Sequence, residues 1–207
     1  MKKYAALFCR KDSAYKSRSA WDVYDIDRDA TKYNGNVAVV CHPPCRSWGV
    51  LSHMATRVRE GEKELGTWSI EKVIENGGIL EHPSGSRLFN HIPIDEGFLI
   101  EIDQHDLFDH MQKGFVIEID QYDFGHVAHK KTKLFIHGIS KHELPPLPPK
   151  DESIHLCEKG KRRSICGDVK GTTNCTQYQR EYTPEALIDF FEVILDRIEE
   201  RKLISYD

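Results

Sequence analysis

The chain has 207 residues, enough to bury one full core and short for two. With 39% hydrophobic and 30% charged residues it falls outside the disordered and fibrous classes, and its formal net charge of -4 excludes bulk attraction to nucleic-acid phosphates, so any such contact needs a local basic patch. No apolar stretch approaches ~20 residues and the opening MKKYAALFCRKD turns charged too early for a signal peptide; a cytoplasmic protein with no membrane partner and reduced cysteines is expected.

In chain order, YAALFC at 4–9 and VAVVC at 37–41 are short apolar runs that predict strands buried on both faces. Between them KDSAYK offers Ser13, Tyr15 and Lys16 either as a phosphate contact or as an exposed turn. Residues 57–76 carry Val58, Leu65, Trp68, Ile70, Val73 and Ile74 among charges and stop at Gly77-Gly78, which predicts a helix with a glycine C-terminal signal. GILEHP then resumes as a strand, and strand, helix, strand over 37–83 make a βαβ unit and a parallel sheet.

GFLIEIDQHD at 97–106 and GFVIEIDQYD at 114–123 repeat at an offset of 17 positions, the pattern of a duplicated strand. Only the second copy continues into FGHVAHKKTKLFIHG, so function is expected on that copy. LPPLPPKDES at 144–153 reads as a semi-rigid surface connector, and 155–174 as a polar loop. Near the end, Thr183 as N-cap, Pro184 at N1, and Leu187, Phe190, Phe191, Ile194, Leu195 and Ile198 at helical spacing predict an amphipathic helix. The expected organisation is an α/β core over 1–143, a connector and polar loop over 144–178, and a C-terminal helix over 179–207 packing on the core.

The chemistry concentrates in HPPCRSWG. Cys45 follows a buried strand, at the strand end where open α/β sheets place their crevices, and two prolines stiffen its approach. Glu81, at the end of the next predicted strand, lines the same pocket if the two strands are neighbours. A thiolate with a carboxyl group suits attack on C6 of a pyrimidine, the carboxyl holding or protonating N3 as the ring becomes electron-rich. The plainer alternatives are a structural cysteine beside a proline turn and a carboxylate capping a turn.

These motifs resemble the cytosine-C5 DNA methyltransferase superfamily. PPCR at 43–46 is similar to the family's PPCQ nucleophile loop, Glu81-His82-Pro83 occupies the place of its Glu-Asn-Val motif, and Asp123-Phe124-Gly125 through Lys130, Lys131 and 135–138 resembles its glycine-basic motif. Arg180, Thr183 and Pro184 are similar to an Arg-x-x-Thr-Pro segment before the late motifs. The chain also resembles short proteins encoded by bacteriophages and prophages.

The resemblance implies a three-layer Rossmann-like methyltransferase fold with a mostly parallel sheet, and a DNA or pyrimidine-nucleotide substrate. It makes Cys45 the nucleophile and Glu81 the group gripping the ring. Pro43, Pro44, Arg46, Ser47, His82, His126, Lys130 and Lys131 would line the substrate, with Arg46 and Lys130 neutralising phosphate and the two prolines holding the loop in shape. S-adenosylmethionine is the implied cofactor, near Phe8 and with Asp25 or Asp27 on its ribose. The chain departs from the pattern in LFCRKDSAYKSRS, which has no glycine where the family has its glycine-rich first motif, in Arg46 and His82, and in lacking a target-recognition domain.

Three functions stay open: a minimal methyltransferase, an S-adenosylmethionine-independent protein modifying or binding a nucleotide on the same fold, and a nucleic-acid-binding module using Lys130, Lys131 and Lys133 with His126 and His129, and KGKRR at 159–163. The lysines of an edge strand also serve to discourage aggregation. His155, Cys157, Cys166 and Cys175 form a candidate zinc set without a Cys-x-x-Cys pair; the core site itself is assigned no metal.

Overall fold

The computed structural model describes residues 2–49, 52–55, 58–93, 114–127, 129–150 and 176–204. Six strands form one sheet: β1 (Tyr4–Leu7), β2 (Trp21–Tyr24), β3 (Val39–Cys41), β4 (Gly78–Pro83), β5 (Phe115–Asp120) and β6 (Lys131–His137). Their order across the sheet is β2-β1-β3-β4-β6-β5. The first four pair in parallel, whereas β6 is antiparallel to both of its neighbours, β4 and β5. It follows that β5 runs with β1–β4, and β6 alone is reversed.

Side chains alternate across this sheet because strand residues point to opposite faces in turn. On β1, Tyr4 and Ala6 face one core, and Ala5 and Leu7 the other. The first core is covered by the C-terminal helix α3 (Glu185–Ile204), which buries Leu187, Ile188, Phe191, Ile194, Leu195 and Ile198. Each such burial stabilises by roughly 1.5–3 kcal/mol. The second core is covered by α1 (Glu64–Asn76), whose Ile70 and Val73 meet Val39, Cys41 and Leu80. A five-residue helix α2 (Gln177–Glu181), capped by Thr176, precedes α3. The result is an α/β protein with a mixed, mostly parallel sheet between helical layers. Among the described residues no helix is long and apolar enough to cross a membrane.

The βαβ unit expected over 37–83 is present, with two differences at its edges. The helix starts at Glu64 rather than near 57, and Gly61, at φ 74°, takes a left-handed conformation that a helix cannot run through. The segment that carries Asp25 and Asp27 begins inside a strand, β2, for which the sequence shows no apolar run. Gly77 has φ 66° and ends α1, and Gly78 has φ 148° and lies so close to β3 that a Cβ would stand 2.0 Å from the Val39 carbonyl oxygen. Only glycine allows the helix to turn straight into the sheet there. The second copy of the repeat forms β5; the first, at 97–106, lies outside the described residues.

Between β1 and β2 the chain makes only a short 3-10 turn, Ala14–Ser17, and no α-helix. Arg18, next to this turn, is bound to Glu185, Asp189 and Glu192 of α3. Trp21 donates its indole N–H to Glu192 at 2.6 Å. The last helix of the chain thus covers the face that a crossover helix would otherwise cover.

Candidate functional site

The C-terminal ends of the five co-directional strands and the start of β6 share one sheet edge, and the candidate residues lie along it. Open α/β sheets bind ligands at this edge because the connecting loops leave a crevice between them.

Glu81, in the second half of β4, is buried at 8% exposure and is approached by polar groups from three sides. His42, just beyond β3, places Nδ1 2.8 Å from Oε2. Gln121, just beyond β5, donates Nε2 to Oε1 at 2.8 Å. Lys130, just before β6, holds Nζ 3.9 Å from Oε1. Burial alone would raise the Glu81 pKa, but the charge of Lys130 and the hydrogen bond and charge of His42 outweigh it and hold the carboxyl well below its usual range. Glu81 is therefore ionised and acts as an acceptor.

Cys45 is the exposed cysteine of this loop, whereas Cys9 and Cys41 are buried. Desolvation by the surrounding loop and then the charge of Glu81 raise its pKa, while Lys130 and Arg46 pull it back. Burial pushes the Cys9 thiol further, up to about 12. The turn carrying Cys45 is closed by the amides of Trp48 and Gly49 on the Cys45 carbonyl, at 3.1 and 3.0 Å. Buried Trp48 anchors it by donating to the Lys63 carbonyl at 3.2 Å.

The other expected residues are placed as follows. Pro43 is buried and Pro44 half-buried, with their carbonyls near His82. Arg46 is committed to Glu62, and the buried Ser47 hydroxyl has no hydrogen-bond partner. His82 is 1% exposed, and neither of its ring nitrogens has a hydrogen-bond partner. Desolvation lowers its pKa to about 4, against the pull of Glu81 and of the two proline carbonyls.

Asp120 organises the glycine-basic segment. It accepts from the Tyr122 and Lys130 amides at 3.1 and 2.8 Å, holds His129 Nδ1 at 2.9 Å, and lies 3.5 Å from Lys131 Nζ. Burial opposes its ionisation, but the His129 and backbone hydrogen bonds lower its pKa. Gly125 takes the left-handed turn that ends this loop, at φ 88°. His126 is buried beside a shallow depression that Tyr122, Asp123, Val127 and Pro149 also line. Lys131 and Lys133 lie on β6; Lys133 lies over the Phe89 ring at 5.7 Å.

At the ends of β1 and β2 the residues do not fit S-adenosylmethionine. No glycine cradle follows β1; half-buried Phe8 itself adopts φ 62° and packs edge-on against Trp68. Asp25 is buried and already accepts from the Asp27 and Arg28 amides, at 2.9 and 3.3 Å, and from Lys16. Those donors hold its pKa below the ordinary value, the Lys16 hydrogen bond most. Asp27 is exposed and paired with Lys11 at 2.8 Å. Of KDSAYK, Lys16 is thus spent on Asp25, and Tyr15, far from offering a phosphate contact, is fully buried.

Sequence reasoning missed His42 and Gln121 as members of the site. His42 stood in plain view at the head of HPPC, but only the pairing of β3 with β4 brings it to Glu81. Gln121 is signalled only by its place at the end of the repeated strand motif. His155, Cys157, Cys166, Cys175 and the basic run at 159–163 lie outside the described residues, as does the Arg180 side chain. Among the described residues no three His, Cys, Asp or Glu side chains converge as a metal site. Neither the models of known protein families nor the curated proteins contain a match to this chain.

Proposed function

We propose that this chain is a cytosine-C5-methyltransferase-like protein whose Cys45 adds to C6 of a pyrimidine in DNA or in a nucleotide. The observation that carries this reading is that Cys45 and ionised Glu81 leave adjacent parallel strands at one sheet edge, near enough for the Glu81 charge to act on the thiol. The sheet order supports it: one reversed strand lodged next to the last position of an otherwise parallel sheet is the arrangement of a Rossmann-like methyltransferase sheet, here without its outer strand.

In this reading Glu81 accepts a hydrogen bond from the ring's exocyclic amino group, and Lys130 balances its charge. The Cys45 thiol loses its proton to solvent, its sulfur forms a bond to C6, and the C5–C6 π pair moves to C5, which takes a proton from water. Loss of the original C5 hydrogen and cleavage of the C–S bond return the ring with its C5 hydrogen exchanged. This cycle balances with water alone. S-adenosylmethionine would convert the same adduct to a methylated product, but no step is assigned to it because the β1 and β2 ends do not fit it. That misfit favours the second reading, a pyrimidine-directed protein independent of S-adenosylmethionine.

The test is release of tritium from [5-3H]deoxycytidine in an oligonucleotide and from [5-3H]dCMP, together with intact-mass detection of adducts on the 5-fluoro analogues, each with and without S-adenosylmethionine. Release or adduct in the wild type and none in a folded Cys45→Ala variant is expected. An adduct formed only with S-adenosylmethionine identifies methyl transfer. Neither signal with either substrate overturns the cysteine mechanism.

A further inference from the structure

Gln121 and Lys130 both approach Glu81, and they also face each other, the Gln121 amide donating to the Lys130 carbonyl at 3.1 Å. Their chain neighbours Tyr122 and His129 meet as well, with ring centroids 4.6 Å apart and planes at 29°. One rung of the connection between β5 and β6 therefore reaches Glu81, and the next rung, about 3.8 Å along each backbone, is an aromatic stack. Asp120 fixes both rungs, through the amides of Tyr122 and Lys130 and through His129 Nδ1.

This stack is not part of the core. Both residues are half-buried, and Tyr122 also lines the depression of about 570 Å³ whose walls include Pro149 and Val127, the latter 60% exposed. A fixed aromatic ring beside exposed apolar side chains is the kind of surface on which a nucleobase stacks, since every base presents a π-face. Asp123 lines the same depression and its carboxylate turns phosphate away from it. A largely exposed cation lies instead at Asp120: the Lys131 side chain is 62% exposed, with Nζ 3.5 Å from that carboxylate. An aromatic wall for a base with an ammonium near its foot matches the order of groups along one nucleotide.

We propose that Tyr122, backed by His129, is a second base subsite that stacks the base next to the target pyrimidine, so that the substrate is a nucleic-acid strand rather than a free nucleotide. The proposal rests on the reading of Glu81 as the group that grips the target. A pyrimidine that enters the site must leave the stack of its neighbours, and the base it leaves loses a partner. Tyr122 replaces that partner one backbone step from Gln121, and Lys131 meets the adjoining phosphate.

The experiment titrates the full chain by calorimetry with single-stranded d(TCT) and with the same trinucleotide carrying an abasic residue in place of its 5′ or its 3′ thymine. In the wild type, loss of one flanking base is expected to weaken binding on the order of 10-fold, the size of a base–aromatic stack; the sensitive flank gives the strand direction. Tyr122→Leu keeps an apolar side chain without the ring, and should bind d(TCT) and that abasic probe alike. Tyr122→Phe keeps the ring and should discriminate between them as the wild type does. A wild type that fails to bind d(TCT), or binds it and both abasic probes equally, overturns the proposal, as does a Tyr122→Leu variant that still discriminates. The wild-type comparison requires no variant to fold. Binding is read without turnover, so flank-dependent binding with no tritium release from [5-3H]cytosine in these probes refutes the cysteine mechanism and leaves the subsite standing. Tritium released equally from intact and abasic probes, with equal binding, overturns the subsite and leaves the mechanism.

Discussion

The Arg46 guanidinium grips Glu62 with two parallel contacts, Nε to Oε1 at 3.0 Å and Nη2 to Oε2 at 2.8 Å, and so ties the Cys45 turn to the residues that lead into α1. The two partners are unequally buried: the Glu62 side chain is 3% exposed and that of Arg46 is 46%. Arg46→Ala therefore strands a buried carboxylate, with only the Arg59 amide left at 3.3 Å, and should cost about 3 kcal/mol. Glu62→Ala leaves an arginine that can turn to water and should cost about 1 kcal/mol. Urea unfolding of the two variants checks the order; equal losses would mean that the fork is a surface pair.

Because the charge of Glu81 helps raise the Cys45 pKa, Glu81→Gln should make Cys45 a faster nucleophile toward a small alkylating agent even as it removes the grip on substrate. Iodoacetamide labelling at pH 7, read by peptide mapping, is expected to speed up a few-fold at Cys45 and to leave buried Cys9 and Cys41 unlabelled. Slower labelling of Cys45 in the variant would place the thiol outside the reach of Glu81.

What the sequence disclosed about this molecule is what local patterning controls. The apolar runs ending at Cys41 and Glu81 identified two buried strands, the glycine pair after Asn76 marked the helix end, and the spacing of Leu187 to Ile198 marked the last helix. Strand β2 escaped because it has four residues and its buried positions, Trp21 and Tyr24, flank an Asp and a Val that look like the start of an acidic loop. The site was half legible. Cys45 and Glu81 were legible because a βαβ unit makes their strands neighbours, whereas the contacts of His42 with Tyr15 and of Glu81 with Gln121 span 27 and 40 positions and come from turns beyond strand ends. Lys130 and Arg46 each face a carboxylate, Glu81 and Glu62, that only the tertiary fold brings to them, and no local sequence pattern signals either pair.

Burial of His82 sets an acid limit on stability. Its pKa is 6.5 when unconstrained and about 4 in the folded chain, so between those values the unfolded chain binds a proton that the folded one does not. Stability must therefore fall as pH drops from 6.5 to 4, by an amount on the order of 3 kcal/mol at 1.36 kcal/mol per unit. His82→Leu removes both unpartnered ring nitrogens, and should be at least as stable as wild type at pH 7 and lose less stability down to pH 4. Chemical denaturation at several pH values measures this; an identical slope in variant and wild type would assign the acid sensitivity elsewhere.

Glu81 contributes in the same direction but lower in the pH range, and Lys130 is the lever on it. The folded-state pKa of Glu81 is depressed, first among the lowering causes by Lys130, so its stabilising contribution is present above the ordinary carboxylate pKa of about 4.3 and is lost as pH falls toward the folded value. Lys130→Met keeps the length of the side chain and removes its charge. The variant should lose about 2 kcal/mol at pH 7, where a buried ionised carboxylate has lost the cation that balances its charge. The gap to wild type should then narrow as pH falls below ~4.3, because a protonated Glu81 has no use for the cation. A gap that stayed constant through the acid range would show that the lysine acts through packing of its stem rather than through its charge on Glu81.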